Sequence, residues 1–162
     1  MSQVYLHIGS NQGERQANLS QAVELMRSQV GQLTKASRIF ETAAWGITDQ
    51  PDFLNQALAY QTHLDPIALL DTILSIEQDM GRVRVKKWGQ RQIDIDIIYY
   101  DNLIWDSEQL TLPHPHLHKR NFVLQPLMDI APDFVHPKFK QTTRDLLNQS
   151  SDVLPVHPLG PK

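Results

Sequence analysis

The chain has 162 residues, 41% hydrophobic and 20% charged, with 15 basic against 18 acidic side chains, a composition that suits one soluble globular domain with a substantial core. A formal net charge of −3 argues against a general nucleic-acid or membrane-surface binder, and no apolar run approaches membrane-spanning length. The absence of cysteine excludes a disulfide framework, a thiolate nucleophile and a cysteine zinc site; without a signal-peptide pattern at the start, a cytoplasmic location is expected.

In chain order, Val4, Leu6 and Ile8 alternate with Tyr5 and His7, the pattern of a half-buried strand over 3–8. A turn at Gly9-Ser-Asn-Gln-Gly13 feeds a helix near 14–30, with Leu19, Ala22, Val23, Met26 and Val30 on its apolar face. Ser10 or Asn11 is the expected cap of that helix. Residues 33–42 and 53–62 read as paired strands joined by a loop that holds Trp45, Gly46 and Pro51. A second helix starts at Pro66, runs through Leu69, Ile73 and Ile76, and ends at Gly81. A basic loop, a strand over 93–100 and a turn at Asp101-Asn102 follow, the turn leading back to a strand through Leu103–Trp105. Short helices are expected at about 119–130 and 142–149, then an irregular tail over 151–162. Strand–helix–strand–strand–helix–strand is the split βαβ, ferredoxin-like plan, an α+β fold with a mainly antiparallel sheet and packed helices. One domain over residues 1–162 is expected.

The run from Arg82 to Asp96 carries the chemistry. Arg82, Arg84, Lys86, Lys87 and Arg91 fill its first part without an acid, and Asp94-Ile-Asp96 follows directly. In a strand Asp94 and Asp96 share one face, roughly 6.5 Å apart at the backbone, opposite Ile93, Ile95 and Ile97. Two like charges side by side repel, and a divalent cation removes that conflict. Mg²⁺ fits best, because it takes one or two carboxylates along with waters and substrate phosphates. The simpler reading is a solvated amphipathic strand behind a solvated loop; the adjacency of the basic cluster favours a nucleotide triphosphate site.

Other signals are weaker singly. The Gly9–Gly13 turn could offer amides to an anion but is neither a Walker A sequence nor a dinucleotide fingerprint. Three histidines at His114, His116 and His118 raise the question of zinc, yet Pro113 and Pro115 make the segment irregular, and phosphate contact from His114 and Arg120 is the preferred reading. By themselves Phe53 and Phe122 read as core rings, Asn55 as a strand-edge amide, and Glu77 as a helix-surface acid.

Taken together, these motifs resemble the 6-hydroxymethyl-7,8-dihydropterin pyrophosphokinase family. The likeness runs from Ile8-Gly-Ser-Asn11 to about Pro132. It includes Ser37-x-x-Phe40-x-Thr42, Asp49-Gln-Pro-Asp-Phe-Leu-Asn55, Gly81-Arg-Val-Arg84, Leu112-Pro-His114 and Arg120-x-Phe122. Its most specific part is Trp88-Gly-x-Arg91-x-x-Asp94-x-Asp96.

The resemblance implies pyrophosphate transfer from ATP to a pterin alcohol in folate biosynthesis. It implies two Mg²⁺ ions on Asp94 and Asp96, with catalytic roles for Arg82 and Arg91. ATP contacts would come from Glu77, Arg84, Lys87, Trp88, His114 and Arg120. The pterin would lie between Phe53 and Phe122, with Asn55, Thr42 and the chain at Gly9, Ala43, Ala44 and Trp45 on its hydrogen-bonding edge. Ala43-Ala44 stands where many members have Pro-Pro, Phe53 replaces a common Tyr, and Gln90, Leu74 and Gln109 also depart from the pattern. The expected partners are these small substrates alone, with no nucleic acid and no membrane, and the chain is expected to be a monomer. A non-catalytic ferredoxin-like module that binds nucleotide or RNA is the alternative, though it leaves the Asp pair unexplained. A metal-dependent phosphohydrolase would use the Asp pair but not the aromatic–Asn–aromatic set.

Overall fold

A computed structural model describes residues 1–42, 52–81 and 92–159. Its centre is an antiparallel sheet built on β1 (Ser2–Ser10) and β4 (Phe53–Thr62), which pair along the whole of β1. β5 (Asp94–Tyr100) lies on the other side of β1, while β2 (Gly31–Ala36) and β3 (Phe40–Thr42) both pair with β4. Helices α1 (Arg15–Gln29) and α2 (Pro66–Asp79) contribute Leu19, Met26, Leu69, Ile73 and Ile76 to a core against one face of the sheet. Helices α3 (Asn121–Ile130) and α4 (Thr143–Gln149) cover part of the other face, where Val123, Leu124, Leu127 and Leu146 meet Ala57, Ala59 and Tyr99. The fold is α+β on the ferredoxin-like plan, as the element order predicts.

Local chemistry accounts for the elements. Pro66 opens α2 behind Asp65, whose carboxylate accepts from the Ala68 amide at 2.8 Å. Gly31 is required by close approach, since a Cβ there would lie 1.9 Å from the carbonyl oxygen of Gln61. None of the described helices is long and apolar enough to cross a membrane.

Four sequence expectations change. The predicted strand over 33–42 is two strands, because Ser37 substitutes its side chain into the ladder: its Oγ accepts from the Ala57 amide at 2.9 Å, and its own amide donates to the Ala57 carbonyl. α1 is preceded by Glu14, with no side-chain cap, in place of Ser10 or Asn11. The turn is tied instead from within the helix, where Asn18 Nδ2 donates to Ser10 Oγ and to the Gln12 carbonyl. Residues 103–105 do not return along β5; among the described residues β6 (Trp105–Asp106) pairs with β7 (Thr111–Leu112) in a small separate sheet. The tail is not wholly irregular either. β8 (Val156–Pro158) pairs antiparallel with β3, because that short strand leaves an open edge which the end of the chain can satisfy.

The segment between α3 and α4 is organised around His136, only 2% exposed, whose Nδ1 accepts from the amides of Lys138 and Phe139 at 3.1 and 3.0 Å. Its ring stacks on Phe139 at 4.3 Å. Burial, with His118 and Lys138 adding to it, pulls the His136 pKa down to about 4. The unfolded ring binds a proton near pH 6.5, so this contribution is complete above that pH and is lost as the pH falls towards 4, on the order of 3 kcal/mol. Denaturant midpoints should therefore drop between pH 7 and pH 4.5. The drop should be smaller in His136→Asn, whose amide oxygen can accept the same bonds without titrating; equal pH slopes in the two proteins would contradict this.

Candidate active site

The register of β1 builds the site. Gly9 sits opposite Asp94 of β5 on one side and Asn55 of β4 on the other, and Asn55 in turn faces Phe40 of β3. Two residues earlier, His7 lies between Asp96 and Ala57. Paired residues point to the same side of a sheet, so Asp94, Asp96, His7, Asn55 and Phe53 share the face that carries α3. Gly9 keeps the middle of this row low: a Cβ there would lie 3.3 Å from Asn55 Oδ1 and 3.7 Å from Phe53 Cδ1.

Asn55 is 2% exposed, and its Nδ2 donates to Thr42 Oγ1 at 2.6 Å. That bond fixes which way the amide faces and leaves Oδ1 beside Gly9. Phe122, in the first turn of α3, reaches the same face: His7 Nε2 bonds its carbonyl at 3.1 Å, and the two rings meet edge to face at 5.7 Å. The Arg120 guanidinium stands 5.7 Å from the Phe122 ring centre. Thr42, Phe53, Asn55, Gly9, Phe122 and Arg120 thus gather on one side, with the two aspartates beside them.

β5 is an edge strand, and its outward amide needs a partner. Glu77 supplies it. The carboxylate is 3% exposed, and its Oε2 accepts from the Ile95 amide at 2.8 Å, midway between Asp94 and Asp96. The helix-surface reading of Glu77 is therefore corrected: the side chain turns into the core and holds the strand that carries both aspartates.

A β-bulge shapes the side of the site beside Asp96. Leu6 faces Ile97 and Tyr5 faces Tyr99, which leaves Ile98 as the extra residue. Its carbonyl accepts from the His114 amide at 3.0 Å and anchors that histidine near Asp96. The two residues line one cleft of about 260 Å³ with Leu70, Gln109, Leu110 and Thr111. His114 Nδ1 accepts from the His116 amide at 3.1 Å, so the ring's proton is on Nε2. Burial first, then Arg120 and His116, lower the His114 pKa to about 4. At neutral pH this residue is an uncharged donor, and an arriving anion would pull its pKa back up. His118 turns away to the ring of Phe139 at 4.7 Å, and no group of three or more His, Asp or Glu able to hold a metal occurs among the described residues. The three histidines do not form a zinc site.

Arg82, Arg84, Lys87, Trp88 and Arg91, with Ala43, Ala44 and Trp45, lie outside the described residues. Sequence reasoning missed the cleft residues Leu70, Leu110 and Thr111, which have no motif of their own. It also missed His7, although a histidine among apolar residues in a central strand could have been a signal.

The family model for 7,8-dihydro-6-hydroxymethylpterin-pyrophosphokinase (HPPK) matches residues 5–132. The chain belongs to this family. Relatives named 2-amino-4-hydroxy-6-hydroxymethyldihydropteridine pyrophosphokinase include one from Methylorubrum extorquens, 46% identical over 83% of this chain and 86% of its own length. Another, from Aquifex aeolicus, is 38% identical over 90% of both chains, and one from Haemophilus influenzae is 38% identical over 94% and 95%. A crystal structure of Plasmodium falciparum HPPK-DHPS shares the fold, with a TM-score of 0.75 at 17% identity over 91% of this chain. The match spans 43% of that longer protein. The non-catalytic nucleotide- or RNA-binding alternative gains no support from these likenesses.

The Glu77–Ile95 bond gives a direct test. Glu77→Leu leaves a buried strand amide without a partner, which should lower stability by roughly 1–3 kcal/mol and reduce turnover through the displaced aspartates. Glu77→Gln, which keeps an acceptor oxygen, should lose much less of both. Equal losses in the two variants, measured by denaturant unfolding and steady-state turnover, would contradict the strand-holding role.

Proposed function

We propose that Asp94 and Asp96 hold two Mg²⁺ ions among the phosphates of ATP while the sheet face around Gly9 and Asn55 presents the pterin alcohol. The chain is an ATP-dependent pyrophosphokinase of folate synthesis, acting on ATP and 6-hydroxymethyl-7,8-dihydropterin. The observation that carries the division of labour is the row Asp94–Gly9–Asn55, which sets an acidic half and an aromatic–amide half side by side across one glycine.

The donor set fits the metal. Two carboxylates on one strand, with no group of three or more His, Asp or Glu side chains able to hold a metal among the described residues, leave room for phosphate oxygens and water. When bound, the ions would neutralise phosphate charge and orient the reacting groups. Asp94 and Asp96 would hold them from the rigid β5, and Glu77 would keep that strand in place. His114, neutral and donating from Nε2, would bond a phosphate oxygen at the end of the cleft, and Arg120 would add charge nearby. Arg82 and Arg91 would meet negative charge as it develops, with Arg84, Lys87 and Trp88 covering the nucleotide.

On the pterin side, Phe53 and Phe122 would stack on the ring. Asn55, oriented by Thr42, would pair with the ring's hydrogen-bonding edge, alongside Gly9 and the chain at Ala43, Ala44 and Trp45. The substrate hydroxyl oxygen would attack the β-phosphorus, and the bond from that phosphorus to the oxygen bridging to the α-phosphate would break. AMP would leave with the bridging oxygen, and the hydroxyl proton would be released. Positioning and charge neutralisation supply most of such catalysis. We propose that all of this is done within one domain of 162 residues, working as a monomer.

Incubation with ATP, Mg²⁺ and the reduced hydroxymethylpterin should yield AMP and the pterin diphosphate in equal amounts. Omitting the pterin or the metal should abolish AMP, and Asp94→Ala or Asp96→Ala should reduce it at least 100-fold by removing a metal-holding carboxylate. ADP as the main product, or phosphate release without pterin, would contradict the reading; near-normal turnover in either aspartate variant would refute the metal assignment.

A further inference from the structure

Helix α3 contains Pro126 in its interior. In an α-helix the carbonyl of residue 122 accepts from the amide of residue 126, and proline has no amide hydrogen to give. The Phe122 carbonyl is therefore orphaned by the sequence of its own helix. A buried carbonyl left in that state is costly, and here its partner comes from the sheet: His7 Nε2 lies 3.1 Å away. His7 is 4% exposed and stands in the central strand, opposite Asp96 on one side and Ala57 on the other. Because the acceptor is a carbonyl, the ring must carry its proton on Nε2 and donate.

The contact has a direction. Its acceptor is the backbone of the residue whose ring forms one wall of the proposed pterin site, and its donor is rooted beside an aspartate of the proposed metal site. The His7 ring also meets the Phe122 ring edge to face, with their planes at 61°, so both the backbone and the ring of Phe122 are held by one side chain. On the outer side, the Asn121 amide donates to Asp152 Oδ2 at 2.9 Å, and Arg120 stands over the Phe122 ring. The first turn of α3 is thus fastened from the sheet and from the tail.

We infer that His7 is a positioning residue that replaces the helix donor removed by Pro126 and fixes Phe122 for stacking on the flat heteroaromatic substrate. This rests on the pyrophosphokinase reading given above. Freed from His7, Phe122 would occupy several orientations, and the pterin would bear the cost of ordering it. ATP does not stack on this ring and would not bear that cost.

The test uses the full-length protein and steady-state kinetics with both substrates. His7→Met keeps much of the side-chain volume but removes the donor; His7→Gln can still donate from its Nε2. His7→Met should raise the pterin KM roughly tenfold, the scale of one buried hydrogen bond, with the ATP KM changed less than about twofold. His7→Gln should stay near wild type. Adding Pro126→Ala to His7→Met restores an amide for the Phe122 carbonyl and should recover most of the pterin KM, a rescue no general packing defect would show. An unchanged pterin KM in His7→Met, equal losses in the Met and Gln variants, or no rescue by Pro126→Ala would overturn the inference. If His7→Met does not fold, the wild type still decides. The imidazole Nε2 proton of His7 should be visible by NMR, protected from exchange, and shifted by pterin more than by a non-hydrolysable ATP analogue; a rapidly exchanging proton, or one blind to pterin, would overturn it. A wild type that makes AMP with pterin but shows none of this pattern sinks only the role of His7. A wild type that makes no AMP sinks the pyrophosphokinase reading and this inference with it.

Discussion

Gly9 lies between Asp94 and Asn55 in the antiparallel ladder, and the rest of the site depends on that register. A slip of one residue on either side of β1 would send the aspartates or the amide to the face covered by α1 and α2. The glycine matters as much as the pairing. Any side chain at position 9 would meet Asn55 Oδ1 and Phe53 and fill the space between the acidic and aromatic halves. A reaction that joins two substrates needs such a floor, because its reacting atoms must approach without an intervening side chain.

Around this floor, buried polar groups are satisfied in ways that also aim the residues of the proposed site. Glu77 answers the outward amide of an edge strand and steadies the aspartates on either side. The Ile98 carbonyl, released by a bulge, anchors the backbone of His114. Thr42 orients the Asn55 amide, and His7 answers the carbonyl that Pro126 orphans. Each is a local exception to regular strand or helix bonding. The fold meets the exceptions with specific partners, which hold functional groups more tightly than apolar packing alone would.

The secondary structure was largely legible in the sequence because strong periodicities dominate it: β1, α1, β4, α2 and β5 all show their faces in the apolar pattern. The departures came where side chains replace backbone partners, as at Ser37, or where pairing is long-range, as between β8 and β3. Neither leaves a local period to read. At the site, the Asp94–Asp96 spacing and its basic neighbour were visible from residues alone. The gathering of Asn55, Phe53 and Phe122 was not, since helix and strand approach only after folding, and it was reached through family likeness. Glu77 shows the limit most plainly. A glutamate on an amphipathic helix reads as solvated, and only the edge strand beside it explains its burial.

The proposed metal–phosphate half and the proposed pterin half lie side by side across one glycine. The most direct measurement is the distance between them. Mn²⁺ can replace the proposed Mg²⁺ in a complex with a non-hydrolysable ATP analogue and the reduced pterin, and its paramagnetic effect on the relaxation of the pterin protons reports their separation. Two strand spacings, from Asp94 to Asn55, predict about 10 Å. A separation beyond about 20 Å, or relaxation unaffected by bound Mn²⁺, would contradict the account.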